Sequence, residues 1–120
     1  MRIGELAERV GVSTRALRYY EQHGLLSSAR EGNGYRDFDE LAVVRARNIK
    51  HLLDAGLTVE DVQGYAAHGC LDRPLNQGPR CAAELETTGR RLAELDERME
   101  RLRRHRERLA AHQSALEALG

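Results

Sequence analysis

Residues 11–26 of this 120-residue chain read Gly-Val-Ser-Thr-Arg-Ala-Leu-Arg-Tyr-Tyr-Glu-Gln-His-Gly-Leu-Leu, and they give the clearest indication of the fold. Gly11 is suited to end a helix, because glycine adopts the left-handed conformation of a C-cap at little cost. Ser13 is a favoured N-cap for the next helix, and Gly24 predicts where that helix stops. Two helices joined by so short a turn outline a helix-turn-helix, whose second helix can enter the major groove of DNA.

The rest of the first 68 residues predicts a compact head around this motif. Apolar residues at the spacing i, i+3, i+4 and i+7 predict an amphipathic first helix that ends at Gly11. A polar turn with two glycines leads into Tyr35-Arg36-Asp37-Phe38, which predicts a small hairpin, or wing, beside the second helix. Asp39 and Thr58 predict the N-caps of two further helices.

Composition and charge exclude several classes of protein. Nineteen basic and nineteen acidic residues give a formal charge of zero, so no whole-chain field favours nucleic acid or membrane. Residues 9–36, however, hold five arginines and two glutamates, a local charge of +3. The sequence lacks a signal-peptide pattern and a long apolar run, so we expect a cytoplasmic protein that does not contact membranes. It also lacks a phosphate-binding glycine loop and an organised nucleophile, so we expect no enzyme.

The second half of the chain predicts one long helix. Pro74 and Pro79 predict a loop or hinge over residues 69–78, followed by a helix over residues 79–120. A helix of forty residues is about 60 Å long, more than the small head can cover, so we expect its apolar seam to pair with a second copy. The alternative is a helix that folds back on its own head. The seam repeats every seven residues and consists of Leu85, Leu92, Leu95, Met99, Leu102, Leu109 and Leu116.

Charge favours one orientation of the predicted helix pair. Residues 81–97 carry a net charge of −3, and residues 98–108 carry +4. Antiparallel packing sets the acidic half of one helix beside the basic half of the other. We therefore expect a homodimer held by an antiparallel coiled coil.

The head carries an ordered set of short motifs from its first helix to its fourth. They are Ile3-Gly4-Glu5-Leu6-Ala7, Gly11-Val12-Ser13, Leu17-Arg18-Tyr19-Tyr20-Glu21, Gly24-Leu25-Leu26, Gly34-Tyr35-Arg36 and Gly56-Leu57-Thr58. This set strongly resembles the MerR family of bacterial transcription regulators. The resemblance implies a mainly α fold, with a winged helix-turn-helix head and a long dimerisation helix that forms an antiparallel coiled coil.

The resemblance also implies a function. Regulators of this family bind, as homodimers, a near-palindromic site in a double-stranded promoter whose spacer is too long for RNA polymerase to align with both promoter elements. They bend and untwist the spacer, so that they control transcription through DNA distortion and affect RNA polymerase indirectly. The alternative is an adaptor in which the head binds protein and the coiled coil mediates assembly, without promoter-specific DNA binding.

The predicted DNA contacts lie on the second helix and in the wing. Arginine pairs with guanine or phosphate, tyrosine donates its hydroxyl group to phosphate, and a helix N-terminus attracts phosphate. The resemblance places the same residue types on the outer face of the second helix. The predicted contacts are Ser13, Thr14, Arg15, Arg18, Tyr19, Tyr35 and Arg36.

The sequence has two cysteines, and they do not by themselves identify the effector of the regulator. Metal-sensing members of the family carry a cysteine near the start of the dimerisation helix, which Cys81 resembles, and a ligand-bearing loop after it. The sequence has no cysteine beyond Cys81, so we expect neither that two-cysteine loop nor a separate sensor domain. Cys70, with His68 beside it, lies across the predicted hinge. Three interpretations remain: inert thiols, a thiol redox switch, or a bound metal ion.

Overall fold

The structure, a computed structural model, describes residues 1–30 and 36–120 and is mainly helical, which confirms the predicted fold class. The chain divides into two compact units, which are residues 1–87 and residues 88–120. The helices are α1 (Ile3–Val10), α2 (Thr14–Gln22), α3 (Glu40–Asp54), α4 (Val59–Ala67) and α5 (Ala82–Leu119), and the strands are β1 (Ala29–Arg30) and β2 (Arg36–Asp37).

The turn between α1 and α2 is built as its sequence predicts. Gly11 has a φ of +79°, and its N–H donates to the carbonyl oxygen of Ala7 at 2.9 Å. The Ser13 hydroxyl oxygen accepts a hydrogen bond from the Ala16 N–H at 3.0 Å, which caps α2. The cap and the left-handed glycine hold the two helices of the helix-turn-helix three residues apart.

The two strands form a small antiparallel sheet. Ala29 pairs with Asp37, and Arg30 pairs with Arg36. The predicted contact Tyr35 falls outside the described residues, and the structure describes the backbone of Arg36 but not its side chain. Phe38, directly after β2, is buried and joins the sheet to the head.

The head has one apolar core, and the segment after α4 contributes to it. Leu71 lies within the stretch that the prolines predict to be a loop, yet it is buried with the helices. The buried Asn48 side chain on α3 donates to the carbonyl oxygens of Leu71 and Arg73, each at 2.9 Å. This segment is therefore irregular in backbone but packed against α3. The largest fully buried side chains are Phe38, Leu6, Leu17, Ile49, Leu71, Val43 and Val62.

The long helix α5 has 38 residues and a length of about 57 Å. It begins at Ala82, three residues after Pro79; the sequence predicts a start at residue 79. None of its residues is buried. Among the described residues, no helix combines the length and the apolar character that crossing a bilayer requires.

Candidate functional site

The outer face of α2 presents polar and basic side chains to solvent. Arg15, Arg18 and Tyr19 are exposed, whereas Leu17 and Tyr20 are buried on the opposite side. This division follows from the helical period, because positions 17 and 20 face the core together. The structure thus places three of the predicted DNA contacts on one accessible face.

The remaining predicted contacts of the helix surround its N-terminus. Ser13 is exposed and Thr14 is half-buried. Since the Ser13 hydroxyl oxygen caps α2, this serine stabilises the first turn of the helix, in addition to its predicted contact with phosphate. The ring of Tyr19 lies 4.2 Å from that of His23, one helical turn away, which restricts the tyrosine on the surface.

The arginines of the head differ in whether a carboxylate neutralises their charge. The Arg9 guanidinium binds the Glu40 carboxylate through two hydrogen bonds of 2.6 and 2.8 Å, and this pairing lowers the pKa of Glu40. Within the described residues, by contrast, neither Arg15 nor Arg18 forms an ion pair. Arg15 and Arg18 on α2 therefore carry positive charge that no carboxylate of the described residues neutralises.

A stripe of large apolar side chains runs along α5. They are mostly open to solvent: Met99 is 68% exposed and Leu102 is 67% exposed. The stripe contains the predicted seam, of which Leu95 is half-buried and the others are exposed. So much exposed leucine on one helix is unusual unless a partner covers it.

A cluster of three potential ligands lies where α5 begins. The Sγ atoms of Cys70 and Cys81 are 2.9 Å apart, and both cysteines are free thiols. A Glu84 carboxylate oxygen completes the group, and its three ligand atoms lie within 4.8 Å of one another. Sequence reasoning found the cysteines but missed Glu84, although its position one turn after Cys81 is a signal that they share a helix face.

Arg80 organises the segment around this cluster. Its guanidinium donates to the carbonyl oxygens of Cys70 at 3.0 Å and Pro74 at 3.1 Å. It also donates to Glu84 Oε2 at 3.0 Å, so one side chain ties the loop to the first turn of α5. Charge-assisted bonds of this kind are stronger than bonds between neutral groups.

The two thiols and His68 have different environments. Cys70 is buried and Cys81 is exposed. Burial raises the pKa of the Cys70 thiol to about 12, and its hydrogen bonds with Cys81 and Glu84 act in the same direction. The predicted third group, His68, is exposed, and its Nδ1 lies 2.9 Å from the carbonyl oxygen of Gly64, outside the ligand cluster.

Comparison with known proteins assigns the family. The sequence pattern of the family described as MerR HTH family regulatory protein matches residues 1–68. The HTH-type transcriptional regulator HmrR of Rhizobium leguminosarum bv. viciae is 39% identical over 67 residues, which are 56% of this chain and 52% of that protein. The chain thus spans about half the length of this relative.

A second relative matches along more of the chain. The mercuric resistance operon regulatory protein of Bacillus cereus is 31% identical over 104 residues, covering 86% of this chain and 75% of that protein. Because the head accounts for only the first 68 residues, this match extends beyond the head into the residues of α5.

Solved structures share the fold. The transcription regulator PbrR691 from Ralstonia metallidurans, in complex with lead(II), has a TM-score of 0.77 at 24% identity, over 91% of this chain and 82% of that one. HiNmlR, a regulator that lacks the sensor domain and is bound to promoter DNA, has a TM-score of 0.60 at 21% identity, over 88% and 76%. From its sequence and its fold together, the chain belongs to the MerR family of helix-turn-helix regulatory proteins.

Proposed function

We propose that this chain is a transcription regulator, not an enzyme, that binds double-stranded promoter DNA in the cytoplasm as a homodimer. The observation that carries the proposal is the outer face of α2, where Arg15, Arg18 and Tyr19 stand exposed over a buried opposite side. A helix of this kind, following a tight turn, fits the major groove. Relatives named as transcriptional regulators and a neighbour bound to promoter DNA support the same function.

The contacts divide into two kinds. Arg15 and Arg18 reach base edges or phosphates, because an arginine can pair bidentately with guanine or with a phosphate. Ser13 and Tyr19 offer hydroxyl groups to the backbone, which fixes the register of the helix in the groove. Tyr35 and Arg36 of the wing remain predicted contacts, and they complete the set with Thr14.

The homodimer forms through the leucine seam of α5 as an antiparallel coiled coil. The exposure of Met99 and Leu102 supports this arrangement, because a single small head has too little surface to cover a helix of about 57 Å. The opposite charges of residues 81–97 and 98–108 support the antiparallel orientation.

Transcription is controlled through the shape of the promoter. Two heads joined by one coiled coil bind the two halves of a near-palindromic site, and their spacing imposes a bend and an untwisting on the overlong spacer between them. RNA polymerase then responds to the changed shape of the spacer and does not require a contact with the regulator.

The switch of the regulator lies at Cys70 and Cys81, through metal binding or thiol oxidation. Their contact at 2.9 Å and the nearby Glu84 support a reactive pair over two inert thiols. A relative named for mercuric resistance and a neighbour in complex with lead(II) support a metal as the effector.

Salt-titrated fluorescence anisotropy tests the DNA-binding function against the adaptor alternative. The probes are the DNA upstream of the gene for this chain and a shuffled duplex of the same length and composition. We expect binding to the upstream DNA to be about a thousandfold tighter or more, with both affinities falling as salt rises from about 50 to 200 mM. Equal affinity for the two duplexes, or no binding to either, would favour the adaptor.

A further inference from the structure

We propose that Cys70, Cys81 and Glu84 bind one thiophilic divalent cation within a single chain. Their ligand atoms all lie within 4.8 Å of one another, and the two sulfurs are 2.9 Å apart. Around a tetrahedral ion with metal–sulfur bonds near 2.3 Å, neighbouring ligand atoms are about 3.6 to 3.8 Å apart. The observed separations bracket this value, so small side-chain rotations bring all three groups to one ion.

The chemistry of the donors selects the kind of cation. Two thiolates favour soft or borderline ions, whereas Mg²⁺ and Ca²⁺ take oxygen ligands. One carboxylate beside two thiolates is a donor set that zinc-like ions accept. The site is therefore expected to take ions of the Zn²⁺ and Cd²⁺ class.

Arg80 makes a divalent ion the best match in charge. Its guanidinium donates to Glu84 Oε2 at 3.0 Å and to the Cys70 carbonyl oxygen at 3.0 Å, so it belongs to the immediate surroundings of the site. With both thiols protonated, the charges of Arg80 and Glu84 cancel. When a divalent ion displaces the two thiol protons to solvent, two thiolates, one carboxylate, one guanidinium and the ion again sum to zero. A monovalent ion would leave a charge of −1 in a partly buried place, which is unfavourable.

An ion can reach the cluster and complete its coordination there. The three ligands line a cleft of about 260 Å³, which His68, Arg73 and other residues of the same segment also border. Zinc-like ions with three protein ligands commonly hold water in the fourth position, and the cleft has room for it. This arrangement needs no ligand from a second chain.

The site is attached to the DNA-binding head through the segment that carries Cys70. Asp72 in that segment binds Arg45 of α3 through two hydrogen bonds of 2.7 and 3.1 Å, and Asn48 holds the neighbouring carbonyl groups. An ion bound to Glu84 competes with Arg80 for the carboxylate and so changes the contacts that hold this segment. The effect of the ion on promoter binding rests on the proposed function, whereas the binding of the ion does not.

Titration of the reduced full chain with Cd²⁺, in the absence of DNA, tests the site. The readout is the ultraviolet charge-transfer band from thiolate to cadmium, and circular dichroism checks the folding of each variant. We expect one ion per chain, loss of the band in Cys70→Ser and in Cys81→Ser, and at least about tenfold weaker binding in Glu84→Gln. Glu86→Gln, an exposed carboxylate on the same helix, is the matched control and is expected to bind as the wild type does.

A mixture of Cys70→Ser and Cys81→Ser chains tests whether one chain supplies the site. If the ligands come from a single chain, the mixture shows no band. If Cys70 of one chain pairs with Cys81 of another, mixed dimers regain a site and the band returns, which overturns the single-chain arrangement. Failure of the wild type to bind Cd²⁺, or wild-type affinity in Glu84→Gln, overturns the three-ligand site. Since no DNA is present, these outcomes are separate from the success or failure of promoter binding.

Discussion

The Sγ atom of Cys70 lies 2.9 Å from the Sγ atom of Cys81, although eleven positions separate the two residues along the chain. The segment between them folds back because its carbonyl groups converge on the guanidinium of Arg80. One thiol of the pair is buried and the other is exposed. This asymmetry predicts that the two cysteines differ in reactivity.

Alkylation with iodoacetamide is expected to modify Cys81 before Cys70 in the folded protein at pH 8. Only the thiolate reacts, and burial raises the pKa of Cys70 to about 12, so little of it is ionised at this pH. In the folded chain the rate at Cys70 should keep rising, about tenfold per pH unit, well beyond pH 9, because a raised pKa delays ionisation. In urea the rate should level off near the ordinary thiol pKa of about 8.5. Peptide mass spectrometry measures both rates; equal labelling in the folded state would contradict the environments described.

Replacement of Asn48 by alanine is expected to destabilise the head by about 1–3 kcal/mol. The substitution leaves the carbonyl oxygens of Leu71 and Arg73 without the amide that now donates to them at 2.9 Å. Urea denaturation followed by circular dichroism measures the loss. His51→Ala, a change at an exposed neighbour on the same helix, serves as the control and should stay within about 0.5 kcal/mol of the wild type. A loss in Asn48→Ala no larger than in the control would show that these bonds do not hold the segment.

Introduction of a charge into the seam is expected to separate the two chains. Leu102→Glu removes an apolar side chain at two places in the dimer, at about 1.5–3 kcal/mol each, and so weakens dimerisation about 100-fold or more. Ala111→Glu adds the same charge outside the seam and should leave the dimer intact. Sedimentation equilibrium measures both variants against a wild type of twice the 13.5 kDa chain mass. A monomeric wild type, or a Leu102→Glu variant that dimerises normally, would contradict the coiled coil.

Local features of the fold were predictable because their chemistry lies within a few residues. The serine cap of α2, the left-handed Gly11 and the Thr58 cap of α4 all appear as their sequences predict. Asp61 completes the cap of α4, because its side chain accepts a hydrogen bond from the Thr58 N–H. The inward face of α2 also followed from helical periodicity, since Leu17 and Tyr20 are buried together.

Features that depend on the folding of distant segments were not predictable. The prolines correctly indicate an irregular backbone, but they do not reveal that Leu71 returns to the core or that Asn48 holds it there. Likewise, the ligand cluster needs Cys70 to meet the first turn of α5, which no spacing rule encodes. The pairing of Arg9 with Glu40 has the same origin: it joins α1 to α3, and it reduces the basic charge counted from the sequence.

Binding of operator DNA by Arg18→Ala tests whether the outer face of α2 lies in the major groove, on which the proposed function depends. Arg18 is exposed and forms no ion pair within the described part of the chain, so its loss should not disturb the fold. Fluorescence anisotropy on the upstream duplex, with Arg104→Ala as a matched loss of charge on α5, measures the effect. We expect Arg18→Ala to lose about 1–3 kcal/mol of binding free energy per contact and Arg104→Ala to bind as the wild type does. Unchanged affinity in Arg18→Ala, or an equal loss in both variants, would contradict this placement of α2.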